Sequence, residues 1–406
     1  MSVKKNVSIF TFSALTFSMS SVVNAFTFQV GDTTADLYGY ARLDMIYDFQ
    51  AKLGNAVSRY AIRLEDRGGP DGHFETHAYQ SRLGLSTSTM VGGSELKTVI
   101  EGDFWGGSEQ GQPRLRHAYA EWYGVLAGQT WTNFGSFLQF TPTVDFYYQP
   151  GAATNVRPSQ LRYTTGPFSF ALEDPETAGT LPRASYTYTT TSNVIVNGVN
   201  TQLTSQSTAD TAGNDMPDFT ARYQGGSGKL KYSASAVLRE LSYDATSRPS
   251  TPQGWDSDKV LGWGLNVAAS AKVSDRVTLR IGLTHGDGIG SYQLFAPFTS
   301  PAYVNKKGSL QTIKGTGGTA GISIAAGKGN INLSYGIATV DLDEGVADGS
   351  ISATTNKMFD GTFLNYIWSP VKNISCGIEA GYHTREQYNG EEGHAVRLQG
   401  MVQYNF

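Results

Sequence analysis

The last twelve residues, 395–406, alternate between apolar and polar side chains and end on an aromatic residue. Successive side chains of a strand point to opposite faces, so this segment has one apolar and one polar face. A strand of this kind predicts the closing strand of a membrane β-barrel, whose apolar face meets lipid and whose polar face lines a water-filled lumen. The apolar face carries Val396, Leu398, Val402, Tyr404 and Phe406, and the polar face carries Arg397, Gln399, Gln403 and Asn405.

Residues 1–25 have the three parts of a secretory signal peptide. Lys4 and Lys5 give a charged start, an apolar stretch covers 7–17, and small residues precede Phe26. We therefore expect a mature chain of residues 26–406 that forms one barrel domain. Without the two lysines the formal charge changes from -4 to about -6, which gives no indication of nucleic-acid binding.

The composition favours a β-rich protein, with 39% hydrophobic residues, 12% aromatic residues and 47 glycines. After residue 25 the chain has no run of about 18 apolar residues, so it does not predict helical membrane spans. A closed barrel is the other way to cross a bilayer, because closure satisfies the strand-edge amides.

Period-two alternation predicts sixteen strands, an even number that fits a bacterial barrel with both ends in the periplasm. Every second connection between them is short, and the intervening ones are longer, as in porins with tight periplasmic turns and long extracellular loops. A soluble β-sandwich has no reason to sort its loops this way. The predicted strands cover residues 36–49, 76–87, 95–105, 114–123, 125–131, 159–165, 168–174, 217–224, 229–241, 260–273, 276–286, 316–326, 329–340, 357–368, 373–384 and 394–406.

The same alternation places eight arginines on the lumen side. An arginine that faces lipid at mid-depth costs about 2–4 kcal/mol, so these residues point inward whether or not they bind anything. Acidic residues share the lumen face, and two interpretations stay open: the arginines are paired wall residues, or they bind solutes. Residues 114–123 are ambiguous, because Arg114 and Arg116 facing inward would turn Glu121 outward. The eight are Arg42, Arg82, Arg116, Arg162, Arg222, Arg239, Arg280 and Arg397.

The third long connection, residues 132–158, is rich in aromatic residues and poor in charge. An exposed loop of this composition would aggregate, so we expect it to fold into the barrel and narrow the lumen. Asp145, Tyr147 and Tyr148 are its candidate lining residues. Arginines opposite the loop would form rings of positive charge, as in anion pores.

Several segments together resemble the DcaP-like outer-membrane porins. They are residues 80–88, 96–98, 114–119, 126–131, 142–151 and 160–163, with 365–370 and 377–379 in the late strands. This resemblance covers most of residues 26–406 and implies a trimeric, sixteen-stranded diffusion porin that favours small anions such as dicarboxylates. We also expect the barrel to contact outer-membrane lipid and lipopolysaccharide. The chain departs from the family in two respects. It lacks heptads for an N-terminal coiled coil, and it has no basic residue between Thr132 and Gln149.

Other functions have weaker signals, and we expect no enzyme activity, cofactor or metal. His73 and His77 are four residues apart but lack the zincin order. The chain has neither a G-x-S-x-G nor a P-loop motif, although a hydrolase whose Ser and His meet only in space stays open. The main alternative is a structural or adhesive barrel with a plugged lumen. A solvated acidic loop is the favoured interpretation over calcium binding for Asp341, Asp343, Glu344 and Asp348, because Gly345 is displaced from the EF-hand position.

Overall fold

The computed structural model describes residues 26–108, 110–153, 156–178, 186–196, 199–209, 212–213, 215–243 and 257–406. The predicted signal peptide, residues 1–25, lies outside these ranges. Within them, no helix is long and apolar enough to cross a membrane.

Sixteen antiparallel strands form the barrel wall, and β3 and β4 together make the second of them. In chain order the wall consists of β2 (Thr33–Asp48), β3 (His73–His77), β4 (Arg82–Val91), β5 (Ser94–Gly106), β6 (Gln112–Trp122), β7 (Val125–Gln129), β8 (Ser159–Thr165), β9 (Phe168–Glu173), β13 (Asp218–Ser227), β14 (Leu230–Tyr243), β15 (Asp258–Lys272), β16 (Val277–Asp287), β19 (Lys314–Ala326), β20 (Gly329–Val340), β21 (Asn356–Trp368), β22 (Ile374–Gln387) and β23 (Glu392–Asn405).

The remaining elements are short or lie in the loops. They are β1 (Phe26–Val30), which pairs with the start of β2; the hairpin β10 (Tyr186–Val196) and β11 (Val199–Ala209); β12 (Ala212–Gly213); the hairpin β17 (Ala302–Val304) and β18 (Leu310–Thr312); helix α1 (Asp343–Ala347); and 3-10 turns at Arg59–Ala61, Phe137–Gln139, Pro175–Ala178 and Gly290–Tyr292.

The barrel closes between its first and last wall strands. Residues 40–48 of β2 pair with 397–405 of β23, and the other edge of β2 pairs with β3 and β4. Closure leaves no open edge in the wall, as a bilayer requires. The predicted sixteen-stranded antiparallel barrel is confirmed.

Alternation along the wall separates an apolar outer surface from a polar inner one. On β16, Leu279, Ile281 and Leu283 are exposed on the outer surface, whereas Thr284 is buried on the inner one. This outer surface matches the lipid-facing band of an outer-membrane barrel. The same pattern recurs on β14, where Leu230, Tyr232 and Leu238 face outward.

A β-bulge at Arg116 corrects the expectation for the fourth wall strand. Glu101 pairs with His117 and Gly102 pairs with Leu115, so Arg116 has no opposite residue. The extra residue reverses which residues of β6 face inward on one side of the bulge. Arg116 therefore faces the lumen without turning Glu121 toward lipid.

Three loops fold into the lumen and pack against each other and the wall. We call them L1 (residues 49–72), L3 (130–158) and L6 (288–313). L1 buries Leu53, Val57 and Ile62 against β23, and L3 packs Phe134 and Phe140 against L6. The predicted infolding of the third loop is confirmed. L1 and L6 also fold inward, so the open lumen is narrower at the height of these three loops.

Candidate functional site

L3 lies directly on glycines of the wall opposite the first strands. A Cβ at Gly317 would be 2.3 Å from the carbonyl oxygen of Gly151, and one at Gly336 would be 2.5 Å from that of Pro150. Real Cβ atoms do not approach backbone oxygens so closely, so these positions require glycine. Lumen-facing glycines on β16, β19 and β20 thus form a surface, here called the glycine wall, on which the loop rests. The loop backbone lies at Gly317 and Gly336, and the side chains of Gln139 and Thr141 lie at Gly282 and Gly321. Its members are Gly282, Gly317, Gly321 and Gly336.

Hydrogen bonds to wall residues fix the tip of L3. The Glu379 carboxylate accepts the backbone N–H groups of Val144 and Asp145, each at 2.9 Å. Asn365 donates to the carbonyl of Pro142 at 2.9 Å, and Arg42 donates to that of Val144. The bonds to the charged groups of Glu379 and Arg42 are the stronger ones. Together these residues hold the tip from two sides.

A buried ion-pair network joins L3 to L1 and the wall. Arg397 pairs with Asp48 at 2.7 Å and with Asp145 at 3.2 Å, and it donates to the carbonyl of Gly54 in L1. Asp145 also accepts the N–H of Val57. Arg397 and Asp145 are 2% and 3% exposed, so these two predicted lining residues hold loops in place and contribute almost no surface to the lumen.

Beside the other side of L3 lies a group of cations that we call the arginine wall: Arg42, Arg82, Arg114 and Arg116 of the barrel strands, and Arg157 at the end of L3 itself. Three carboxylates pair with four of them. Arg116 contacts Glu101 and Asp103, both at 2.8 Å, Arg114 contacts Asp103 at 2.7 Å, Arg82 contacts Glu101 at 3.3 Å, and Arg42 contacts Asp44 at 2.6 Å. Five cations against three carboxylates leave a net positive charge on this side of the lumen.

Arg157 is the member of the arginine wall without a counter-ion. Its guanidinium lies over the Trp131 ring, 4.3 Å from the centroid, and it has no ion pair with any residue in the described ranges. Burial and the positive charges of Arg116 and Arg114 lower the pKa of Arg157 to about 8. An arginine keeps its proton in proteins, so this side chain presents an uncompensated charge.

Two side chains of the arginine wall keep accessible surface beside L3. The side chains of Arg114 and Arg82 keep 30% and 23% of their surface exposed. On the loop side, Tyr147 and Tyr148 are half-buried and pack against Phe295 and Phe140 respectively. A solute that passes L3 would therefore move between aromatic side chains and guanidinium groups.

The structure brings together only part of the predicted arginine set. Arg42, Arg82 and Arg116 share the arginine wall, and Arg162 adjoins it through a hydrogen bond to the carbonyl of Trp131. The other lumen arginines contact different regions: Arg222 donates to the carbonyl of Gly135 at 3.2 Å, Arg239 pairs with Asp218 at 3.3 Å and is 1% exposed, and Arg280 donates to Ser323 at 2.7 Å.

Sequence reasoning missed Arg157, because alternation assigns no direction to a loop residue. A signal was nevertheless present, since Asp145 and Arg157 are the only charged residues in the loop 132–158. A single basic residue near the end of an infolded loop can face the lumen, as an inward residue of a strand does. For metals, no group of three or more His, Cys, Asp or Glu side chains in the described ranges is placed to hold an ion.

Comparisons with known proteins agree with this architecture. No protein-family profile and no curated protein sequence matches the chain. Among solved structures, the outer membrane channel DcaP of Acinetobacter baumannii is similar with a TM-score of 0.75 and 23% identity, covering 93% of this chain and 99% of that one.

More distant structures share the same fold. The anion-selective porin from Comamonas acidovorans has a TM-score of 0.53 and 13% identity, with 92% of this chain and 100% of that one covered. The trimer form of OmpT, an outer membrane protein of Vibrio cholerae, has a TM-score of 0.50 and 11% identity, with 92% and 99% covered. The chain therefore has the fold of a DcaP-like outer-membrane porin.

Proposed function

We propose that this protein is a passive diffusion channel of the outer membrane that favours small anionic solutes such as dicarboxylates. The observation that carries the proposal is the arginine wall, where five cations face three carboxylates along the accessible side of L3. Rings of basic side chains are the usual selectivity device of anion pores.

The expected interaction is weak and reversible. Each guanidinium attracts a dianion by a few kcal/mol at an effective dielectric constant near 20, and the solute loses part of its hydration in exchange. A net binding free energy of about -4 kcal/mol corresponds to a millimolar dissociation constant. Such a site raises the local anion concentration and still releases the solute quickly.

We further propose a homotrimer embedded in lipid and lipopolysaccharide. The apolar outer surface supports the lipid contact. The trimer rests on the sequence resemblance and on the trimer form of the structurally similar Vibrio cholerae protein. A heat-sensitive oligomer of about three times the monomer mass would support it, and a stable monomer in light scattering would contradict it.

A structural or adhesive barrel with a plugged lumen is the second candidate. The infolding of L1, L3 and L6 favours it, because these loops bury large side chains inside the mouth. The partly exposed side chains of Arg82 and Arg114 favour the open channel.

Single-channel recording of the purified protein in a planar bilayer separates these functions. We expect a steady current. In a salt gradient, the reversal potential should be displaced toward the equilibrium potential of the anion. Absence of steady current would identify a plugged barrel, and a reversal potential near zero would identify a nonselective sieve.

A further inference from the structure

Arg59, at the start of a 3-10 turn in L1, carries a buried charge whose terminal groups have no partner. The side chain is 0% exposed, and its Nε donates to the carbonyl of Asp360 at 3.2 Å. Both terminal nitrogen atoms lack a hydrogen-bond acceptor among the residues that the structure describes. The rings of Phe295 and Phe363 lie 4.6 and 5.9 Å from the guanidinium carbon. Since an arginine stays protonated and a buried unpaired charge is strongly unfavourable, this position requires an acceptor.

His383 on β22 borders the same space. It is 1% exposed, its Nδ1 has no partner within the described ranges, and its ring packs against Phe363 at 5.1 Å. Between the two side chains lies Gly361, whose missing Cβ would be 2.8 Å from Arg59 Nη2 and 2.8 Å from His383 Nδ1. Glycine thus leaves both nitrogen atoms facing one small space.

Nearby carboxylates do not supply the missing acceptor. The ion pairs found among described residues include none with Arg59. Asp145 is engaged by Arg397 at 3.2 Å and by the N–H groups of Val57 and Tyr147. Burial lowers the pKa of Arg59 to about 10, and Asp145 and Asp360 only partly oppose it.

We propose that Arg59 and His383 bind a small monovalent inorganic anion of the chloride type. Arg59 donates from its two terminal nitrogen atoms, and His383 donates from Nδ1–H. The faces of the Phe295 and Phe363 rings lie over the guanidinium and border the site. Because Arg59 contacts Phe295 of L6 and the Asp360 carbonyl of β21, the bound anion would tie L1 and L6 to the wall. This site is structural and separate from the arginine wall.

Bromide substitution in wild-type crystals tests the site without any mutation. Crystals of the protein grown in sodium bromide should show an anomalous peak within about 3.5 Å of the Arg59 terminal nitrogen atoms and of His383 Nδ1. A water molecule there, or no density, would overturn the proposal.

Thermal unfolding tests it in solution. The wild-type midpoint should rise with chloride and saturate, compared with sodium gluconate at equal ionic strength, because a ligand that binds only the folded state stabilises it. Arg59→Met should lose this dependence. Arg63→Gln, an L1 control whose side chain pairs with the exposed Asp71, should keep it. Chloride dependence that is absent in wild type, or that persists in Arg59→Met, would contradict the site.

Discussion

The two sides of the lumen at the height of L3 have opposite chemistry. On the glycine wall, the missing side chains at Gly317 and Gly336 bring the loop backbone into direct contact with the strands. On the arginine wall, Arg82 and Arg114 hold charged, partly exposed groups between the loop and the strands. Apart from Arg157, which belongs to L3, both surfaces come from the inward face of alternating strands. The size and charge of the inward residues therefore decide on which side the loop packs and on which side solutes pass.

Arg397→Leu should have the largest effect, because the ion pairs it makes join L3 and L1 to the wall. The substitution would leave Asp48 and Asp145 buried without their cation, a loss of about 3–5 kcal/mol. Urea unfolding in detergent measures the free energy of unfolding. Arg276→Leu, in an exposed turn, is the control and should change it little. Equal stability of the two variants would mean that the network does not hold the loops.

Gly317→Val should displace L3 from the glycine wall. Its Cβ would meet Gly151 at 2.3–2.4 Å, so L3 must move toward the arginine wall, at a cost of about 1–3 kcal/mol. We expect a lower single-channel conductance. The neighbour Gly318 faces outward toward Leu283, and Gly318→Val is the matched control with unchanged conductance. If both variants conduct like wild type, the loop does not rest on the glycine wall.

Arg157→Gln should weaken anion binding at the arginine wall. Removing the uncompensated guanidinium over Trp131 takes away part of the attraction for a dianion, so block of the current by succinate should weaken several-fold. Arg280→Gln removes a lumen cation on β16, away from the arginine wall, and should retain the block. Equal loss of block in the two variants would contradict this role of Arg157.

The wall strands were predictable because lipid on one side and water on the other impose a period of two. For example, the predicted strands 159–165 and 329–340 match β8 and β20 residue for residue. The inward direction of Arg42 and Arg82 followed from the same alternation.

The loops and their contacts were not predictable in this way. Arg397 and Asp145 are 252 residues apart, and only the folded loop brings them together. Likewise, the bulge at Arg116 depends on pairing with β5, which local alternation does not report. Which arginines keep accessible surface depends on these long-range contacts.

If anions pass along the arginine wall, the reversal potential of the variant Arg82→Gln/Arg114→Gln/Arg157→Gln must change. Arg116 is kept because it is buried in two ion pairs. The control, Lys229→Gln/Lys272→Gln/Arg276→Gln, removes three exposed cations at the rim that carries the short turns. In a salt gradient, we expect the reversal potential of the first variant to shift toward the equilibrium potential of the cation. The reversal potential of the control should stay near that of wild type. An unchanged reversal potential in the first variant, or an equal shift in the control, would contradict the account.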